Sequence, residues 1–366
     1  MRKVVTILWN VFILIPFILS AQVNESLNST NTQIEWKVIP QQEINNIAEI
    51  FSPSSDSDKW IKAIVPGTVF SSYVAAGLEK DPNFGNNIYE VDKTKYDRSF
   101  VYRLAFDYPS QFDKEKIWLN FSGINRKGEV FLNGEALGVL DGFMQRGKFD
   151  VTSLLYKNGK NILAVIVDIP EHPLNNYGSP TYLSSGGWDW MPYVPGLNSG
   201  ITDDVYLSNT GALQIEDPWI RTNLPTKTKA ELSISVGVNN PTRNYKEGIV
   251  KLEINPGNIT LSKKVGIGAG RLSEVTFDQS MFKELIINNP KLWWPNGYGD
   301  PNLYTCNLSL EVDGEVSDSE QVSFGIKKYS YDKEGNVFHI SINGERVFVK
   351  GGNGGMSESM RRCRGE

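Results

Sequence analysis

Residues Gly186-Gly187-Trp188-Asp189-Trp190 set one carboxylate between two indoles. Tyr177, Gly178, Pro180, Pro192, Tyr193, Pro195 and Gly196 surround them, a composition that admits neither a helix nor a central strand. The chemistry open to such a loop is recognition of a pyranose. Its C–H face stacks on an aromatic ring, and a carboxylate takes two of its hydroxyls as hydrogen-bond donors. The same residues also fit a plainer role, in which Trp188 and Trp190 plug a core edge and Asp189 caps a turn, as loop aspartates readily do. The pattern alone leaves both open.

Other chemistries are poorly supplied. The 366 residues contain two cysteines, Cys306 and Cys363, and two histidines, His172 and His339. A metal cluster of thiolates or imidazoles, a disulfide framework and a bound cofactor are therefore not expected. A Ser-His-Asp triad would have to draw its base from those two histidines. Neither has a partner pattern, and both read as surface or hairpin residues. The formal net charge is −5, which offers no basic footprint for nucleic acid.

The elements that must position the loop read as strands. Arg2 and Lys3 precede an apolar run from Val4 to Leu19, and Ser20-Ala21 offers a small-residue cleavage site. Residues 1–21 thus read as a signal peptide for export to a periplasmic or extracellular space. The run is shorter than the ~20 apolar residues of a membrane span, and none is expected in the mature chain. Residues 22–32 are polar and read as an unstructured leader. Phe100 to Phe106 and Ile117 to Phe121 alternate with period two, and Asn161 to Ile169 reads as a buried strand. Asn133-Gly134, Asp313-Gly314 and Asn343-Gly344 mark hairpins. Val69 to Ala76 reads as a short helix closed by Gly77. Many short strands with Gly/Asn turns imply a mainly β fold of two sandwiches, the first a jelly roll over 22–212 and the second of immunoglobulin-like size over 213–328. The sequon Asn120-Phe121-Ser122 matters only in a glycosylating host.

Several stretches in this order resemble glycoside hydrolase family 2. They are Val101-Tyr102-Arg103, Val130 to Gly134, Asp150-Val151-Thr152, Gly187 to Trp190, Leu292 to Gly299, Phe324 to Lys328 and Ile342 to Asn353. The Trp-Asp-Trp loop and Trp293-Trp294-Pro295-Asn296-Gly297 look most like the branch of β-mannosidases, mannosylglycoprotein endo-β-mannosidases and exo-β-glucosaminidases. The resemblance implies a galactose-binding-like jelly roll, then an immunoglobulin-like sandwich, then a (β/α)8 barrel of which 329–366 would be the truncated start. It also implies a retaining O-glycosidase whose two catalytic glutamates lie in the missing barrel. No catalytic role is therefore expected of Glu345, Glu358 or Glu366, and no catalysis from this chain alone. Asp189 matches the acidic position that reaches the terminal sugar, with Trp188 and Trp190 beside it. Asn353 matches the asparagine ending the first barrel strand, while Gly354 stands where the family usually has tryptophan. Leu197-Asn198-Ser199 and Thr202 also depart from the usual pattern, where arginine and tryptophan are common. Trp293 and Trp294 are expected to pack structurally. The implied partners are a β-linked oligosaccharide and the missing catalytic domain. The alternative is a free-standing carbohydrate-binding or scaffold protein.

Overall fold

The computed structural model describes residues 24–52, 59–142, 145–169, 192–335 and 337–352. The signal-peptide segment, His172, Cys363, Glu358 and Glu366 lie outside these residues. Two compact units emerge: one contains Gln22–Ala212 together with Ser330–Glu366, and the other contains Leu213–Tyr329.

The first unit holds β1 (Asn24–Ser26), β2 (Trp36–Pro40), β3 (Ile61–Ala63), α1 (Val69–Ala75) and β4 (Phe100–Phe106). It continues with β5 (Lys116–Phe121), β6 (Lys127–Leu132), β7 (Glu135–Asp141), β8 (Gly147–Asp150), β9 (Asn161–Asp168) and β10 (Val205–Thr210). A six-stranded sheet runs β3-β2-β4-β9-β6-β7 and a four-stranded one β1-β10-β5-β8. The core contains Trp36, Tyr102, Leu104, Val130, Leu163 and Val165 of the first sheet with Leu119, Phe121, Val205 and Leu207 of the second. The six-stranded sheet is buried on its other face as well. Val101, Ala164 and Ile166 pack there against Ile50 of a 3-10 turn, Ile47–Phe51. That double burial explains why β9 is apolar from Ile162 to Val167 instead of alternating. Arg103, itself buried, ties the turn down by donating from Nε to the Ile50 carbonyl at 2.8 Å and from Nη2 to that of Ser52 at 3.1 Å.

The polar leader is not wholly unstructured. Residues 24–26 form β1, which pairs with Tyr206–Ser208 of β10. Leu27 is buried behind it, and Asn28 Nδ2 donates to Asp204 Oδ1 at 2.8 Å. Main-chain pairing and one long-range side-chain bond make this strand, and neither leaves a hydropathy signal. Asn120 is buried in β5 and donates to Ser208 Oγ at 3.0 Å, so the folded chain does not offer that sequon for glycosylation.

The motif Asp150-Val151-Thr152 acquires a structural meaning. Lys116 Nζ lies 2.7 Å from Asp150 Oδ2, and Asp150 Oδ1 accepts from the Thr152 hydroxyl at 2.6 Å and amide at 3.1 Å. Burial alone would raise the Asp150 carboxyl, but these bonds outweigh it and hold the group below the ordinary carboxylate value. Because the folded value is the lower one, its stabilisation is complete above the unfolded value near pH ~4 and fades as pH falls through the folded value. Asp150→Asn should therefore lower the urea midpoint at pH 7 and narrow its gap from the unchanged protein as pH drops below about 4. A constant gap across that range would reject the assignment.

The second unit comprises β11 (Gln214–Thr226), β12 (Lys229–Asn240), β13 (Lys246–Asn255), β14 (Ile259–Ile267) and β15 (Arg271–Asp278). β16 (Ile286–Asn288), β17 (Tyr304–Val312) and β18 (Glu315–Phe324) complete it. One sheet runs β11-β12-β15 with β16 also on β12, and the other runs β14-β13-β17-β18. Ile234, Val236, Val238, Val250, Leu252, Phe277, Leu308 and Leu310 fill the sandwich between them. Cys306 is free and buried there, and burial pushes its thiol up to about 12, so it serves as a small apolar core residue. Trp293 packs structurally: its amide donates to the Ile326 carbonyl at 2.9 Å and Lys327 Nζ lies 3.9 Å above its ring. A Cβ on Gly325 would come within 2.8 Å of Trp293 Cβ, so the close approach needs glycine.

β19 (Tyr329–Glu334), β20 (Val337–Ile342) and β21 (Glu345–Val347) form a separate small sheet. All three Asn/Asp-Gly pairs turn hairpins as expected, with positive φ at both residues: Asn133 and Gly134, Asp313 and Gly314, Asn343 and Gly344. His339 sits in β20 with Nδ1 3.2 Å from Asp332 Oδ1, so this hairpin histidine does have an acidic neighbour.

Candidate functional site

Trp188, Asp189, Trp190 and Asn353 lie outside the described residues. What the structure describes is the frame from which residues 170–191 leave and to which they return. They leave from β9, a central strand of the six-stranded sheet. Its last residue, Asp168, accepts a hydrogen bond from Ser99 Oγ and lies 3.7 Å from Lys127 Nζ.

The return is built from Pro192 to Ile201. Tyr193 donates its hydroxyl to Asp97 Oδ1 at 3.0 Å, and Lys93 Nζ sits 5.0 Å from its ring centroid. Burial, and then the Asp97 carboxylate, raise the Tyr193 phenol above its usual value, so it remains a neutral donor. Next comes a turn with Gly196, Leu197 and Asn198 all left-handed, at φ 62°, 51° and 59°. Leucine rarely adopts that region, so the surroundings must hold it there. The carboxamide of Asn125 does so. Its Nδ2 donates to the Leu197 carbonyl at 3.0 Å and the Asn198 carbonyl at 2.7 Å. Its main chain bridges Gly200 in both directions, at 2.9 and 2.8 Å.

The segment before α1 closes the other side. Gly67 N donates to Ile201 O at 2.8 Å and Val69 N to Ser199 O at 2.9 Å. A Cβ on Gly200 would lie 2.3 Å from the Gly67 carbonyl oxygen, so only glycine fits this crossing. Thr68 caps α1 through a reciprocal box with Ser71. Beneath the turn, Tyr96 packs edge-on against Phe70 and Tyr73 at 5.2 and 5.3 Å and donates to Glu79 Oε1 at 2.9 Å. Burial, followed by that bond to Glu79, raises the Tyr96 phenol. Thr202 is buried and its amide donates to the Gly123 carbonyl at 3.2 Å.

This is a pedestal of main-chain and carboxamide hydrogen bonds, with the charged groups Asp97, Lys93 and Glu79 engaged by Tyr193 and Tyr96 at its margin. It can fix where the chain re-enters the sandwich after residue 191. No set of three His, Cys, Asp or Glu side chains among the described residues could hold a metal. Asn125 belongs to no motif, and only its contacts with carbonyls 72 and 73 positions away reveal it. No helix among the described residues is long and apolar enough to cross a membrane.

The described residues thus define two consecutive antiparallel β-sandwiches, the class of module that precedes further domains in many carbohydrate-active proteins. Residues 50–203 match the model described as glycosyl hydrolase 2 galactose-binding domain-like, and residues 213–327 match that of glycosyl hydrolases family 2. The chain belongs to glycoside hydrolase family 2. It is 30% identical over 338 residues to a mannosylglycoprotein endo-β-mannosidase of Lilium longiflorum, covering 85% of this chain and 35% of that one. It is 29% identical over 321 residues to an exo-β-D-glucosaminidase of Streptomyces avermitilis, covering 86% and 34%. The crystal structure of a β-D-mannosidase from Dictyoglomus thermophilum superposes with a TM-score of 0.73 at 28% identity, covering 93% of this chain and 41% of that one. The chain thus spans about a third of the length of the curated relatives it matches, and corresponds to their N-terminal part.

Proposed function

We propose that this chain is the substrate-recognising front part of an exported, retaining β-glycosidase that removes β-linked mannose or glucosamine from oligosaccharides. The observation that carries the reading is the unbroken tandem of the two family modules, shared with relatives named as β-mannosidases and β-glucosaminidases. Asp189 would accept hydrogen bonds from hydroxyls of the terminal sugar, Trp188 or Trp190 would stack on its ring, and Asn353 would stand at the end of the first barrel strand. The two carboxylates of a retaining mechanism, ~5–5.5 Å apart, would come from the barrel. Residues 1–21 would direct export and be removed.

The test begins with the native product and the coding sequence beyond the Glu366 codon. A product far heavier than 41.0 kDa, beginning at Gln22 and hydrolysing aryl β-mannoside or β-glucosaminide, is expected. A stable secreted product ending at Glu366 would leave only the sugar-binding alternative.

A further inference from the structure

Trp219 is the one tryptophan among the described residues that stands mainly in solvent, at 61% exposure. A β-bulge puts it there. Pairing of β11 with β12 is continuous from Gln214 to Glu216 and resumes at Trp219, opposite Ser235, with an irregularity between. Asp217 takes φ 43° in that gap, and Pro218 follows. Ile215 faces the core before the bulge, and Ile220 and Leu224 face it afterwards. Strict alternation from Ile215 would have sent residue 219 inward, so the extra residue turns the indole out.

The outward indole is held. The guanidinium carbon of Arg221 lies 4.8 Å from its ring centroid, and Arg221 Nη2 donates to Ser233 Oγ at 3.3 Å and Ser235 Oγ at 3.4 Å. The register extends this face across the sheet. Ser235 is opposite Thr276, Gly237 lies between Glu216 and Glu274, and Asn239 is opposite Leu272. Asn239 Nδ2 donates to Glu216 Oε1 at 3.0 Å. From the Trp219 row to the Leu272 row is four residues along β12, roughly 14 Å at ~3.4 Å per residue.

We infer that this outer face of the second sandwich binds a β-linked oligosaccharide, with Trp219 as the stacking ring and Arg221, Asn239 and Glu274 as hydroxyl partners. The chemistry favours a sugar over a protein partner. The core of a protein interface is depleted of charged residues, whereas here one indole and a remote Leu272 stand among hydroxyls, an amide and the carboxylates of Glu216 and Glu274. A pyranose asks for this mixture: a single flat apolar surface with scattered polar groups around it. The choice of sugar rests on the function proposed above, while the site itself does not involve Asp189.

The test is calorimetric titration of the 366-residue chain with β-1,4-linked mannohexaose and with the glucosamine hexasaccharide. Binding of at least one is expected. Trp219→Ala should weaken it about tenfold or more, on the scale of one aromatic contact. Trp219→Tyr, which keeps a ring, should recover most of the affinity, and Trp219→Ala should weaken binding by the same factor in an Asp189→Ala background. Near-ultraviolet circular dichroism and melting would confirm that the exposed substitution preserves the fold. The inference fails if neither hexasaccharide binds, or if Trp219→Ala binds as tightly as the unchanged chain. Loss confined to Asp189→Ala would overturn it while supporting the sugar role of Asp189.

Discussion

Replacement of Asn125 by alanine should destabilise the first sandwich by about 3–5 kcal/mol, since each orphaned buried polar group costs ~1–3 kcal/mol. The side chain donates to two carbonyls, those of Leu197 and Asn198, at 3.0 and 2.7 Å. Both residues are buried, so water does not simply replace the lost donor. Both are also left-handed, a conformation that costs on the order of 1–3 kcal/mol and persists only where its surroundings impose it. With Asn125 truncated, the turn is free to relax, and the bonds from Gly67 and Val69 to Ile201 and Ser199 loosen with it. The expected fall in the melting temperature of this sandwich is roughly 6–20 °C, at ~2–4 °C per kcal/mol for a domain of this size. The melting step of the second sandwich should stay in place, because none of its atoms takes part in these bonds. Asn125→Asp is the discriminating companion. It keeps the shape but has no N–H to donate, and it would point an acceptor at two carbonyls. It should therefore be at least as damaging as alanine. An aspartate variant of near-normal stability would mean that volume, and not donation, is what the position needs.

The strands of both sandwiches were largely legible because each carries its own local signal. β4 and β5 alternate or run apolar, and Asn133-Gly134, Asp313-Gly314 and Asn343-Gly344 supply the positive φ that two-residue hairpins require. The exceptions are a strand made by a distant partner and two edge strands that carry or follow proline. β1 is polar and exists through pairing with β10 some 180 residues later. β11 carries Pro218 and Pro225, which argue against a strand, but it lies at the edge of its sheet and bulges, where proline is tolerated. β14 begins after a Pro256-Gly257 turn and also lies at an edge.

The candidate site reads in the opposite sense. The Trp188-Asp189-Trp190 constellation offers sugar recognition by residue type, with core plugging and turn capping open beside it. Its support does not announce itself. Asn125, Gly200 and Thr202 look like ordinary loop residues, and their roles follow only from main-chain atoms that tertiary folding brings to them. Trp219 shows the same limit. Whether an indole on a strand faces core or water turns on a single bulge residue, and Asp217 gives no sign in the sequence that it will adopt φ 43°.

Replacement of Asp189 by alanine in the complete enzyme should lower kcat/KM by about a hundred- to ten-thousandfold. A charge-assisted hydrogen bond contributes ~1.5–3 kcal/mol, two hydroxyl contacts are proposed, and each 1.36 kcal/mol is a factor of ten in rate. Asp189→Asn retains shape and one acceptor, so it should fall between alanine and the unchanged enzyme. Substrates lacking one of the contacted hydroxyls should lose activity with Asp189 present and little further with alanine there, because the pair then has nothing left to break. The competing role of Asp189, as a cap for its own loop, predicts a different pattern. A lost cap costs about 0.5–2 kcal/mol of stability, and it would lower the melting temperature while kcat/KM per folded molecule stayed within a few-fold. The Asn125 pedestal sharpens the distinction. The chain after residue 191 is anchored at Tyr193 and at the Leu197–Asn198 turn through bonds that do not involve residue 189. Truncating Asp189 therefore leaves that anchor standing, and a large loss of kcat/KM at unchanged stability could only come from the sugar.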